Sequence, residues 1–221
     1  MTETALSFKH IKVTAKPINV PDNVIPAGLA TVDFQKLARE AEASPETAIL
    51  KLEKHLEKYP KVGMLYNLLT AAYHHAGREK DSEALIEKGY QNCPQYLFIK
   101  MSYARLCIKR KQMDKIPEIF NQKFDLTELY PDRKLFHESE AINFYGLMGE
   151  HYVYSKDLKK AWACYDYVKS IDPSDPVVEH LHRIIMVHSI PKWKAYGIIA
   201  IIIIVVLALI ALIIWGITKL F

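Results

Sequence analysis

Residues 196–215 read YGIIAIIIIVVLALIALIIW, twenty consecutive positions without a charged side chain. At about 1.5 Å of rise per residue, a helix of that length covers roughly 30 Å, the thickness of a bilayer's hydrocarbon core. Nine Ile, three Leu and two Val, at about −0.3 to −0.6 kcal/mol each, sum to an insertion preference on the order of −6 kcal/mol. Lys192, Trp193, Lys194 and Tyr196 stand before or at the start of the run, and Trp215 and Lys219 close it. That is the pattern of interfacial aromatics and snorkelling lysines. The run predicts one transmembrane helix within a C-terminal anchor of residues 191–221.

Only residues 216–221 follow the span, so the expected topology is tail-anchored and single-pass. The N-terminal stretch MTETALSFKHIKVTAKPINV has no long apolar run of the secretory kind. Arg183, Lys192 and Lys194 before the span outnumber Lys219 after it, a bias that leaves the preceding domain facing the cytoplasm. Within the span, Gly197, Ala200, Ala208 and Ala211 share with Ile204 and Trp215 an arc of roughly 80° at about 100° per residue. Small residues let helix backbones approach in lipid, so this face is a candidate contact with another transmembrane helix. None of the small residues stands four positions from another, which favours a looser or heterologous contact over a tight homodimer.

Residues 1–190 are long enough for one domain with a real core or a short repeat array. The formal net charge of +4 is modest, with no dense basic run, and gives no reason to expect nucleic acid. Lysines beside the apolar run fit anionic lipid headgroups instead. Cys93, Cys107 and Cys164 are widely spaced and form no CxxC pair, so they suggest neither a disulfide framework nor a zinc site.

Repetition organises this domain. Tyr145-x2-Met148-Gly149-x2-Tyr152 is followed by Ala161-x3-Tyr165-x2-Val168 and then Pro173, a pattern that resembles the tetratricopeptide repeat W-x2-L-G-x2-Y…A-x3-F…P. Large residues wedge between paired helices, Gly149 and Ala161 let the backbones approach, and Pro173 stops the second helix. Asp157 is placed to cap that helix. Pro60 and Pro94 stand 34 residues apart, with Tyr66-x2-Leu69, Tyr73, Gly77, Ile86 and Gly89 at corresponding positions between them. A third unit runs from Leu97 through Tyr103, Ala104 and Cys107 to Ile116 and Phe120. Pro94 to Pro173 is 79 residues, 11 more than two periods, and the excess falls in FDLTELYPDRKL, where Asp125 and Glu128 frame an extra helical turn. A first, degenerate unit starts at Thr31 and contains the helix start Ser44-Pro45-Glu46 and the apolar face Ala48, Leu52, Leu56 and Tyr59. Asp175-Pro176 opens a last, capping helix. The expected fold is all-α: a tetratricopeptide-like solenoid of about four helix pairs plus a capping helix over residues 31–190, without strands, followed by the transmembrane helix.

The resemblance implies a concave groove, built from first helices, that holds an extended or helical segment of a protein partner. Carried onto this register, the groove positions are Met64, Asn67, Ala71 and His74, then Phe98, Met101 and Arg105, then Asn143 and Glu150. Met64, Phe98 and Met101 suggest an apolar segment, and Arg105 with Asn67 is too little for a clamp on a terminal carboxylate. His74, His75, His180, His182 and His188 invite a search for metal ligands, but HExxH and paired cysteines are missing. So are GxxxxGK[ST], GxGxxG and GxSxG. The expectation is a non-enzymatic adaptor with no catalytic residue, cofactor, metal or small-molecule substrate. Its partners would be a protein recruited to a membrane, the membrane lipid itself and another transmembrane helix. The alternative is an accessory or assembly subunit of a stable integral-membrane complex. Residues 1–30 form an extended arm interrupted by Pro17, Pro21 and Pro26 yet rich in Phe8, Ile11, Val13 and Ile18. This arm should lie on its own groove or on a neighbouring subunit, and its removal should leave the fold intact. In layout the chain resembles tail-anchored tetratricopeptide adaptors of organelle membranes.

Overall fold

The structure is a computed structural model that describes residues 8, 11–18, 25–30, 32–190, 204, 206, 207 and 210. Its body is a succession of paired helices: α1 (Phe34–Ala43) with α2 (Pro45–Lys58), α3 (Gly63–His75) with α4 (Glu79–Asn92), α5 (Leu97–Lys109) with the short α6 (Lys115–Ile119), and α8 (Glu138–Tyr154) with α9 (Leu158–Ile171). The one-turn α7 (Leu126–Leu129) lies before the last pair, and α10 (Pro176–Ser189) packs against both α8 and α9. The architecture fits a helical-repeat protein.

The repeat is visible in how the first helices end. Gly77, Lys111 and Lys156 each follow α3, α5 and α8 with φ of 70°, 59° and 67°. At each site this residue donates its N–H to the carbonyl three residues back, and the next residue donates to the carbonyl five back: Arg78 to Tyr73, Gln112 to Cys107, Asp157 to Tyr152, all at 2.8 Å. Such caps satisfy the last carbonyls of a helix and turn the chain sharply. Only at Gly77 does the residue type remove the strain of that backbone region; the two lysines accept it. The three caps are spaced by 34 and then 45 residues, and the 11-residue excess is the segment that carries α7.

Four helices, α2, α7, α9 and α10, are started by a side-chain cap or by proline. Asp157 Oδ1 accepts from Lys160 N–H at 3.1 Å and Pro45 occupies the first turn of α2. Asp175 caps α10 through Val177 N–H at 2.8 Å, and Asp125 caps α7 through Thr127 N–H at 2.8 Å. Helix pairs then approach closely where residues are small. A Cβ on Gly149 would stand 2.7 Å from Leu181 Cδ2 and 3.3 Å from Cys164 Cβ, so α8, α9 and α10 meet there without room for one more carbon. Ala161, opposite on α9, is fully buried.

Two apolar clusters make the core. One gathers α1–α4 around Leu52, Leu65, Tyr66, Leu69 and Ile99; the other gathers α5–α10 around Phe120, Phe136, Phe144, Tyr145, Leu147 and Leu181. Helix α5 belongs to both, giving Ile99 to the first and Leu97, Met101 and Ala104 to the second.

Two expectations are corrected here. Among the described residues no helix is long and apolar enough to cross a membrane. The single-pass, cytoplasm-facing membrane topology is therefore not supported. A span needs a continuous apolar helix of about 20 residues, and the longest described helix, α8, has 17. Within the apolar run, Ile204, Val206, Leu207 and Ile210 are helical and exposed, while Gly197, Ala200, Ala208, Ala211 and Trp215 of the expected contact face lie outside the described residues. Second, the body is not free of strands. Val13–Thr14 (β1) pairs in parallel with Phe136–His137 (β2), and Phe136 N–H donates to Lys12 O at 3.0 Å.

That pairing fixes the arm on its own chain. Phe8 packs in tilted contact against both Tyr145 and Tyr167, with ring centroids 4.6 and 4.7 Å away, and Ile11 is buried in the same cluster. Leu29 and Ile25 instead belong to the α1–α4 cluster. Described residues of the first thirty thus touch both halves of the core. Beneath β2, Arg133 Nη2 meets Glu140 Oε2 at 2.7 Å with the two side chains 7% and 2% exposed, and the same carboxylate oxygen accepts His137 N–H at 2.9 Å.

Candidate functional site

Helices α3, α4, α5, α8 and α10 line two adjoining cavities of about 560 Å³ each, which meet at α5 and open as one face. The first lies between α3, α4 and α5, lined by Asn67, Thr70, Ala71 and His74 of α3 and by Glu79, Ser82, Glu83 and Ile86 of α4. The second lies between α5, α8 and α10, lined by Ile108, Asn143, Glu150, Tyr154, Val177 and His180. Arg105 and Lys109 of α5 line both. Residues spaced by three and four on a helix share a face, which is why Asn67, Ala71 and His74 open on one side together.

The charges along this face are mostly paired. Lys109 Nζ donates to Glu79 Oε2 and to Glu83 Oε1, each at 2.8 Å. Those bonds hold the Glu79 and Glu83 carboxyls below the usual range and push Lys109 up to about 12. His180 Nε2 stands 3.2 Å from Glu150 Oε1. Arg105 is different. Its Nη2 donates to Asn143 O at 3.2 Å and to Asn143 Oδ1 at 3.1 Å, tying α5 to α8 without a carboxylate. Burial pulls its pKa below the ordinary value, with the field of Glu150 acting the other way. Asn143 is itself positioned by Nδ2 donating to Ser139 O at 2.8 Å. On the α3 side, Thr70 Oγ1 is buried and finds no hydrogen-bond partner among the described residues.

Of the residues that the sequence nominated, Asn67, Ala71, His74, Arg105, Asn143 and Glu150 come together on this face. Met101 does not, being fully buried in the core. Met64 and Phe98 are half-buried and pack against the α1–α4 cluster. The apolar lining comes instead from Ala71, Ile86, Leu106, Ile108 and Val177. Thr70 and Lys109 were within reach of sequence reasoning, since they lie three or four positions from Asn67 and Arg105. Val177 and His180 were not, because nothing local says that a capping helix turns toward the groove.

The histidines are dispersed over this architecture. His182 packs on Trp162 and Tyr165, His188 on Tyr154, and His151 stacks on Phe124. Among the described residues no three His, Cys, Asp or Glu side chains gather as a metal site. All three cysteines are free and buried, and burial raises each thiol's pKa. No family model matches the chain, and no curated protein matches it.

Proposed function

We propose that this chain is a non-enzymatic protein-binding module of the tetratricopeptide kind, which holds a segment of a partner protein in the groove along α3, α5, α8 and α10. The observation that carries this reading is that the two cavities adjoin, sharing Arg105 and Lys109 as lining. Ligand-sized clefts of several hundred Å³ with a mainly apolar lining and a few placed polar groups are what a bound segment requires. The 34-residue spacing of the caps after α3 and α5 supports the same family likeness. An extended or helical segment would lie across the first helices, with its apolar side chains on Ala71, Ile86, Leu106 and Ile108.

The test places a photo-crosslinker at Asn67 or at Ile108, with Lys88 on the exposed side of α4 as control. The same partner should attach at both groove positions, through one short segment of its sequence, and not at Lys88. Equal labelling at all three positions would defeat the proposal.

A further inference from the structure

Among the described residues the charge on Arg105 has no counter-ion, and its place in the groove says what would supply one. Arg110 is paired with Glu83 and Glu87, Lys109 with Glu79 and Glu83, and Arg133 with Glu140. Among the described residues no carboxylate lies within ion-pair distance of the Arg105 guanidinium, whose bonds go to the neutral Asn143. Glu150, the acid whose field reaches it, is engaged by His180. A guanidinium has five N–H donors in a fixed fork, and Asn143 is served by Nη2 alone. Arg105 is half-buried; withdrawing such a cation partly from water without a partner charge is unfavourable, and a carboxylate approaching the remaining donors offsets that.

We propose that the groove selects a partner segment bearing an acidic side chain between apolar neighbours, with that carboxylate seated on Arg105. This rests on the groove being the binding site. The carboxylate belongs to a side chain and not to a chain terminus, because Arg105 stands where the two cavities join and a bound segment continues away from it on both sides. Its neighbours are apolar because Ala71, Ile86 and Leu106 flank Arg105 on one side and Ile108 and Val177 on the other. A single carboxylate suits the site better than a dianionic phosphate, since Glu79, Glu83 and Glu150 also line the groove and would repel the second charge.

A phage-displayed library of random 12-residue peptides, selected on the full chain, tests this. Enriched sequences should carry Asp or Glu at one fixed position with apolar residues on both sides. For a synthetic enriched peptide, replacing that acid by its amide should weaken binding about tenfold or more to the native chain, and hardly at all to Arg105→Gln. Blocking the peptide's terminal carboxyl as an amide should change nothing. If Arg105→Gln loses its cooperative melt, Arg105→Lys serves in its place and should discriminate acid from amide less strongly than the native chain. Equal discrimination by either variant would overturn the inference, as would dependence on the free terminus. Peptides that lose binding on Ala71→Arg yet show no acidic position would leave the groove standing and remove the role of Arg105. If no selected peptide responds to Ala71→Arg, the groove itself is not the site and both readings fall.

Discussion

Replacing Phe8 by Ala removes the ring that packs against both Tyr145 and Tyr167, 7% exposed, at the point where the N-terminal arm meets α8 and α9. Phe→Ala in a packed core costs about 3–5 kcal/mol, and each aromatic pair adds about 0.5–1.5 kcal/mol beyond area. The loss is capped, because an arm with weakened contacts can detach from β2 and leave the helices paired. The lower end, about 3 kcal/mol, is therefore the expected cost. At about 2–4 °C per kcal/mol for a chain of this size, Tm should fall by roughly 6–12 °C. Thermal melting followed by far-UV circular dichroism gives Tm, and limited proteolysis reports the arm directly, since Lys12 and Lys16 should become cleavable well below the melting range. Lys16→Ala, on an exposed residue, is the control. A Phe8→Ala variant that melts with the native protein and keeps its arm protected would refute this packing and restore the picture of a dispensable arm.

Ala161→Trp should loosen α8 from α9 by about 1–3 kcal/mol or more, read as a lowered urea midpoint; an unchanged midpoint means that these helices do not meet at Ala161. Glu140→Ala strands Arg133 in a buried site and should cost about 3–5 kcal/mol, whereas a loss below about 1 kcal/mol in urea titration would show that water reaches the pair. In alkali, burial and the bond to Glu53 push Tyr73 up to about 12, and burial does the same for Tyr167. A tyrosine whose folded pKa is raised contributes stability that is full below its unfolded value near 10 and is lost as pH climbs through the folded value. Stability should thus drain between about pH 10 and 12, and absorbance at 295 nm should report ionisation of these rings only as circular dichroism reports unfolding. Complete ionisation with the helices intact would contradict their burial.

The parts of the fold that could be read from the sequence are those with a local physical cause. Pro60 and Pro94 mark one period, Asp157 caps α9, and the excess before Pro173 becomes α7 because Asp125 satisfies its first N–H groups. The groove was legible wherever a first helix is buried on one side only, as at Asn67, Ala71 and His74. It was misread at Met101 because α5 is enclosed by α3, α4, α6 and α8, so Leu97, Ile99, Met101, Ala104, Leu106 and Cys107 are buried together and period alone cannot say which turn faces outward. The β1–β2 pairing had no local signature: two residues on each side, more than a hundred apart in sequence, make a ladder too short for alternation to show. The apolar run of residues 196–215 lies largely outside the described residues, and no described helix is long and apolar enough to cross a membrane.

An array of stacked pairs ordinarily has stability that adds along its length, each unit depending on the next, and can fold from either end or lose a terminal unit cheaply. The arm changes that arithmetic here. Leu29 joins the beginning of the array while Phe8, Ile11 and β1 join its far end, so the chain is cinched into a loop and its two ends report on each other. A contact between Phe8 and Tyr145 spans most of the body in sequence, and closing it must wait until α8 and α9 exist. Such distant closure slows folding relative to a simple helical array. It also makes fraying of α9 and α10 costly to the first helix pair, so that the repeat body melts as one unit and not from its edges.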